Sequence, residues 1–296
     1  MLMGRLFEPE GDQLLYHYCS AESFQAIFES GKLRFTDINM LNDSTEHRWG
    51  YAVFEEAATR LIKRIGVNEQ VPIMPIEFFD AIDSVLSKGQ LIAHPFIACL
   101  SLDGNSLDQW RKYGDDGRGY AIGFLATGLQ SLPISLLQVS YDKEEQVREM
   151  MAALLAIHSR TPKPEMPLSG VAFEDAALLS TLMASLKHPS FASEREVRCV
   201  RAISLEPVGQ NRRFVDRGGQ TREGSIIPGE PVRFANRGGS LTAYVDIPYA
   251  LETKSCAITE VAVGPRNGSG PGNLFLFLGG LGHSEINVRP SSLPYR

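Results

Sequence analysis

Glu194, Glu196 and Arg198 stand two apart in the stretch Ser193-Glu194-Arg195-Glu196-Val197-Arg198-Cys199-Val200, just ahead of a run with strand character. If the stretch is extended, the three ionisable side chains share one face, and Val197 and Cys199 share the other. Two carboxylates beside a guanidinium make a reactive or ligand-holding row, because neighbouring charges tune protonation and grip charged substrates. A strand's wet face also carries charges that are solvated or paired with one another, and residue types alone leave both readings open.

The elements that must position this row can be read along the chain. Leu14 to Tyr18 reads as a first strand, followed by a helix capped by Ser20, with Phe24, Ile27 and Phe28 at helical spacing and Gly31 as its stop. Leu33-Arg34-Phe35 is a short second strand. The loop Asn39 to Glu46 carries Asn42, Asp43 and Ser44, residue types that favour turns and caps. Apolar periodicity predicts helices over 50–65, 76–86, 143–159 and 172–187. Strands are expected over 92–102, 120–124, 137–141, 241–247, 258–263, 274–278 and 286–288, roughly nine or ten in all with the charged one. Between them, Trp110 and Tyr113 at i and i+3 line one side of a pocket or close the core.

The chain has 296 residues, 43% of them hydrophobic, which suffices for a sizeable core. Its 27 Gly and 17 Pro, spread over many short runs, favour a mixed α+β fold over a helical bundle. A formal charge of −6 argues against a surface that grips nucleic acid throughout. The exception is the stretch from Arg201 to Gly239, with seven Arg against four acidic residues and two Arg-Gly-Gly triplets, at Arg217 and Arg237. It reads as an exposed loop or as a basic hairpin that touches nucleic acid. Cys19, Cys99, Cys199 and Cys256 show no metal-site spacing and read as buried free thiols of a reducing compartment. With no signal peptide and no apolar stretch of about 18 residues, the expected location is the cytoplasm, away from membranes.

The familiar hydrolase and metal routes lack support. There is no His-Glu-x-x-His helix, Gly-x-Ser-x-Gly elbow or EF-hand loop, and Gly264 to Gly272 lacks the order of a phosphate loop. Cys19 or Cys199 with His17 would make a nucleophile and base, but nothing marks either thiol as activated. No metal ligand set is assigned; metal-dependent hydrolysis would need Asp43, Glu46 and the two glutamates to converge.

The ordered motifs resemble a broad bacterial family known as a domain of unknown function. They are a Leu-Tyr-His-Tyr opening (Leu15 to Tyr18), Asn-Asp-x-x-Glu (Asn42 to Glu46), Trp-x-x-Tyr (Trp110 to Tyr113), Ile-Gly-Phe (Ile122 to Phe124), and Lys187 with Glu-x-Glu-x-Arg (Glu194 to Arg198). Val-x-Gly-Pro (ending at Pro265) and a Pro-Tyr-Arg tail (Pro294 to Arg296) complete the set. The resemblance spans nearly the whole chain and implies one domain over 1–296, with helical insertions about 50–90 and 143–188 and the Arg/Gly-rich loop or hairpin about 201–240.

The opening strand and helix are also similar, more distantly, to the ADP-ribosyltransferase superfamily, especially its nucleic-acid-modifying DarT type. This implies mostly antiparallel split β-sheets with flanking helices, NAD as substrate and a protein or nucleic acid as acceptor. It implies a bacterial toxin or phage-defence setting, with an antitoxin or defence-system partner. His17 would match the superfamily's first-strand His, and Glu196, with Glu194 behind it, the catalytic Glu. The chain lacks a clear Ser-Thr-Ser strand.

The chemistry is consistent with that assignment. Breaking the nicotinamide–ribose bond builds positive charge on the sugar, which a carboxylate stabilises. His17 would bond a ribose hydroxyl, Tyr16, Tyr18 or Trp110 would stack on a base, and Arg34 would bind the pyrophosphate. Asn42, Asp43, Tyr113 and Arg198 complete the expected cofactor-binding set. The second reading is a non-catalytic nucleotide- or nucleic-acid-binding module.

Overall fold

The computed structural model describes residues 4–40, 45–86, 93–160, 173–250 and 258–295. The chain opens with β1 (Leu14–Cys19), α1 (Ala21–Ser30), β2 (Lys32–Asp37), a 3-10 turn (Ile38–Met40), α2 (Thr45–Lys63), α3 (Ile76–Leu86), β3 (Ala93–Ser101) and α4 (Leu107–Lys112). It continues through β4 (Tyr120–Leu125), α5 (Ala126–Gln130), β5 (Ser135–Gln138), α6 (Lys143–Arg160), α7 (Phe173–Met183) and a second 3-10 turn (Pro189–Glu194) to β6 (Glu196–Val208). The remainder is β7 (Asn211–Val215), β8 (Gly219–Gln220), β9 (Ile226–Ile227), β10 (Arg233–Arg237), β11 (Ser240–Pro248), β12 (Ile258–Val263), α8 (Pro271–Gly280) and β13 (Asn287–Pro290). The protein is therefore mixed α+β with a mostly antiparallel open sheet.

Local sequence explains the first unit. The Ser20 hydroxyl accepts from Ser23 N at 3.2 Å and caps α1, while Gly31 ends it at φ 66°, a left-handed conformation natural to glycine. Phe24, Ile27 and Phe28 turn inward against the sheet.

The sheet is organised around β3. Along one edge β3 pairs with β6 over its full length, from Ala93↔Ser204 to Ser101↔Glu196. Its other edge is shared: β2 takes Phe96 and Ile97, and β1 takes Ser101. Beyond those pairs the sheet forks. One arm runs β1-β4-β12-β13, the other β2-β11-β10, and of these ladders β12-β13 is parallel. The Leu15, Phe96, Leu100, Val197 and Cys199 side of the sheet forms the larger core, closed by α1 and α8. Helices α2, α3, α6 and α7 pack on one another around Phe54, Ile82, Leu154 and Leu179. Ile38, Ile97, Ala184 and Val200 join that layer to the opposite sheet face.

One expected element differs. Leu274 to Leu278 is not a strand but part of α8: Pro271 opens the helix, Leu274 and Leu278 are buried one turn apart, and Phe275 and Leu276 are 61% and 74% exposed. A continuous apolar run carries no period that separates helix from strand. Of the two readings of the Arg201 to Gly239 stretch, the structure takes the hairpin: the stretch continues β6 into the β6-β7 hairpin and then supplies β10, while Arg201 is buried on Asp216 at 2.9 Å.

Gly119 leads into β4 beside the end of β1, where an added Cβ would lie 2.0 Å from the Cys19 carbonyl oxygen. Gly119→Ala is expected to cost about 1–3 kcal/mol through the forced backbone shift. Gly268→Ala, whose Cβ would meet nothing within 4 Å, should be near neutral. Urea midpoints of the two variants at unchanged slope check the pair.

Candidate functional site

A cavity of about 410 Å³ opens at the fork, lined among others by His17, Cys99, Tyr113, Glu194, Glu196 and Arg237. Its floor is a buried charge network. The Lys187 Nζ lies 2.5 Å from Glu194 Oε2 and 3.0 Å from Glu196 Oε2. The Arg198 guanidinium clasps Glu196 from behind, Nε to Oε1 at 2.8 Å and a second nitrogen to Oε2 at 3.2 Å, and donates to the Ala184 carbonyl at 2.7 Å. The other oxygen of Glu194 receives Lys112 at 3.1 Å and the Tyr113 hydroxyl at 3.4 Å.

The three charges of the motif do not form one wet strand face. Glu196 and Arg198 do share a face of β6, but that face is buried, and Arg198 is fully so. Glu194 precedes the strand, at the end of the 3-10 turn. It is swung onto the same network because Arg195 adopts φ 44°, an uncommon conformation for a residue with a Cβ. That turn is pinned by its carbonyls: Glu194 O accepts from Ser101 Oγ at 2.9 Å, and Arg195 O from Leu102 N at 3.0 Å.

Burial pushes the Glu196 carboxyl up, but the charges of Arg198 and Lys187, with hydrogen bonds from Arg198 and the Cys99 thiol, outweigh it and hold the group below the ordinary carboxylate range. Burial raises Tyr113 as well, and takes Tyr141, whose hydroxyl accepts from Glu196 N at 3.0 Å, up to about 12. Both phenols are neutral donors at pH 7.

His17 stands at the opening between β1 and β3, its Nδ1 3.0 Å from the Cys99 carbonyl oxygen. A carbonyl only accepts, so Nδ1 carries the proton and a neutral ring presents Nε2 as an acceptor. Burial lowers His17 and outweighs the Cys99 hydrogen bond, which raises it, with the charge of Arg237 adding a smaller push down, so the ring is neutral.

The other expected residues separate into those at the cavity and those outside it. Tyr16, Tyr18 and Tyr113 line it. Tyr16 donates to Glu260 at 3.0 Å, and Tyr18 to the Asp103 carbonyl at 2.7 Å. Trp110 does not present a stacking face: it is fully buried edge-on to Tyr18, centroids 4.8 Å apart, with its indole nitrogen bonded to Asn105. Arg34 does not line the cavity; Asp246 holds it bidentately at 2.8 and 3.0 Å, and it lies over the Tyr244 ring. Arg198 positions Glu196 instead of meeting a ligand. Asn42 and Asp43 lie outside the described residues, as does Cys256, and the side chain of Glu46 is not described. Cys99 is exposed on the cavity wall, unlike the buried Cys19 and Cys199, whose thiols burial pushes up. Among the described residues no cluster of His, Cys, Asp and Glu suits a metal ion.

Lys112 and Cys99 carried no site signal in the sequence, and Arg237 stood out only as part of the basic Arg/Gly stretch. Lys187 was legible as part of the motif, but not as the cation between its two glutamates. A parity argument on β3 would place Cys99 beside Arg198 only once the β3-β6 register is known.

Residues 109–199 match the model of a family described as "Protein of unknown function (DUF2971)". The matched segment contains Lys112, Tyr113, Lys187, Glu194, Glu196 and Arg198, the whole charge network. No curated protein and no solved structure matches the chain. Among the described residues no helix is long and apolar enough to cross a membrane.

Glu196→Gln is expected to destabilise the protein by about 3–5 kcal/mol, because Lys187 and Arg198 would each lose a buried carboxylate partner. The pH dependence has a definite sign. The folded pKa of Glu196 lies below its unfolded value of about 4.3, so its contribution is full above that value and is lost as pH falls toward the folded one. Denaturant titrations between pH 7 and 2 should show this fall in wild type and a shallower one in Glu196→Gln; parallel curves would contradict it.

Proposed function

We propose that this protein is an NAD-consuming, ADP-ribosyltransferase-like enzyme that works at the fork of its sheet and modifies a protein or nucleic acid. The observation that carries the reading is that His17 from β1 and the carboxylates at the start of β6 line one cavity, of a volume ordinary for a small-molecule ligand. The mostly antiparallel sheet forks beyond β3, and each arm gives a share of the walls.

In this reading the neutral His17 Nε2 accepts from a ribose hydroxyl, and Tyr16 or Tyr113 flanks a base. Nicotinamide leaves with the bonding electron pair, and the cationic sugar is stabilised by Glu196 and by Glu194. Lys112 is the member of the network that reaches solvent, its side chain 44% exposed. Glu196, locked by Arg198 and Lys187, stays ionised and fixed. The toxin or phage-defence setting rests on the resemblance alone.

One observation favours a second reading. In the resting network Lys112, Lys187 and Arg198 face two carboxylates, so the floor of the cavity leans positive. Such a floor suits binding a nucleotide anion without cleaving it.

Incubating the purified protein with adenylate-labelled NAD and cell extract should transfer label to a macromolecule and release nicotinamide. Glu194→Gln and His17→Ala, checked for folding by circular dichroism, are each expected to lower the release rate by about 10²-fold or more. Folded variants with unchanged release would refute the site assignment. NAD binding with no release by the wild type would establish the binding-module reading instead.

A further inference from the structure

The β10-β11 hairpin brings to the cavity Arg237, the first residue of the second Arg-Gly-Gly triplet. Gly238 and Gly239, at φ 57° and 88°, form a two-residue turn, and the Asn236 side chain accepts from Gly239 N at 2.9 Å. Positive φ at both central positions is what a tight hairpin of this kind requires, so the Arg-Gly-Gly triplet is turn chemistry. Its consequence is positional: Arg237, opposite Ser240, is the last paired residue of the hairpin. Ala235 shares its strand face with Arg237 and pairs with Thr242, whose hydroxyl donates to the Met40 carbonyl at 3.4 Å. Arg237 and Met40 both line the cavity at the fork, and Arg237 is exposed there.

The charges divide the cavity into two ends. At the floor, Glu194 and Glu196 are matched by lysines and by Arg198. At the hairpin end the cation is Arg237, felt by His17. Among the described residues, the charge that acts on Arg237 is a like one, that of Arg34, which has its own carboxylate in Asp246. A forked guanidinium held near a neutral imidazole and a second guanidinium is a place for phosphate oxygens, which Arg binds bidentately.

We propose that Arg237 holds the diphosphate of a nucleotide ligand at the hairpin end of the cavity, and so directs the ligand's uncharged or cationic end toward Tyr113 and Glu194. The proposal rests on the nucleotide reading of the cleft, and it concerns orientation and specificity rather than bond cleavage. Arg237, not Arg34, takes the phosphate role.

Calorimetric titration with ADP-ribose and with nicotinamide riboside, which carries no phosphate, tests it in the wild type, Arg237→Gln and Arg237→Lys. Arg237→Gln should bind ADP-ribose about tenfold or more weakly, with Arg237→Lys between the two because an ammonium keeps the charge and loses the fork. Nicotinamide riboside affinity should not change. Equal ADP-ribose affinity in wild type and Arg237→Gln, equal losses for both ligands, or no ADP-ribose binding by the wild type would overturn it. Nicotinamide release from NAD, followed in parallel, separates this proposal from the transferase reading. Arg237-dependent ADP-ribose binding without release removes the transferase and leaves the diphosphate site; release with the same KM in Arg237→Gln removes the diphosphate site alone.

Discussion

Lys187 sits between two carboxylates that the chain delivers from different kinds of structure, Glu194 from a 3-10 turn and Glu196 from a strand. None of these groups tolerates removal from water alone. Charges of this kind are costly to bury, and the cost is offset only when hydrogen bonds and opposite charge meet every one of them. Arg198 completes the set, tied both to Glu196 and to the Ala184 carbonyl just after α7. The network therefore fixes where the segment after α7 enters the sheet, and it explains why Arg195 is held in a conformation its side chain disfavours.

That entry point decides the site. Because β6 occupies one whole edge of β3, β1 and β2 must share the other, and both pair with it only briefly. Where neither pairs, the wall between the arms is open, and His17 and the Cys99 carbonyl face each other across it. A single strand with two partners on one edge thus makes a cleft.

The same economy shapes the electrostatics. The Glu196 carboxylate is ionised at neutral pH but not exposed, and the phenols and imidazole near it are neutral. A ligand meets fixed charges at the floor and a reachable guanidinium at the hairpin. Lys112 joins the network from a solvated position. It is the natural point at which ligand binding redistributes charge.

Much of the scaffold was legible in the residues. The Ser20 cap, the Gly31 stop and the helical periods of α1, α3 and α6 are local signals, set by interactions within a turn or two of chain. The α8 run was misread because its identity depends on what covers each face, which no local period encodes. The charged row was visible as chemistry, and its spacing put Glu196 and Arg198 on one face. Its burial was not visible, since a charged strand face is wet or dry according to the helices packed over it. By itself, the sequence determined residue types, caps, turns and the alternation of strand faces. Only the tertiary structure brought Lys187 between the glutamates, opened the fork beside His17, withdrew Trp110 and Arg34 from the cleft and set Arg237 at its mouth. Those outcomes depend on strand pairings between residues far apart in the chain, and pairing is fixed by the packing of the whole sheet.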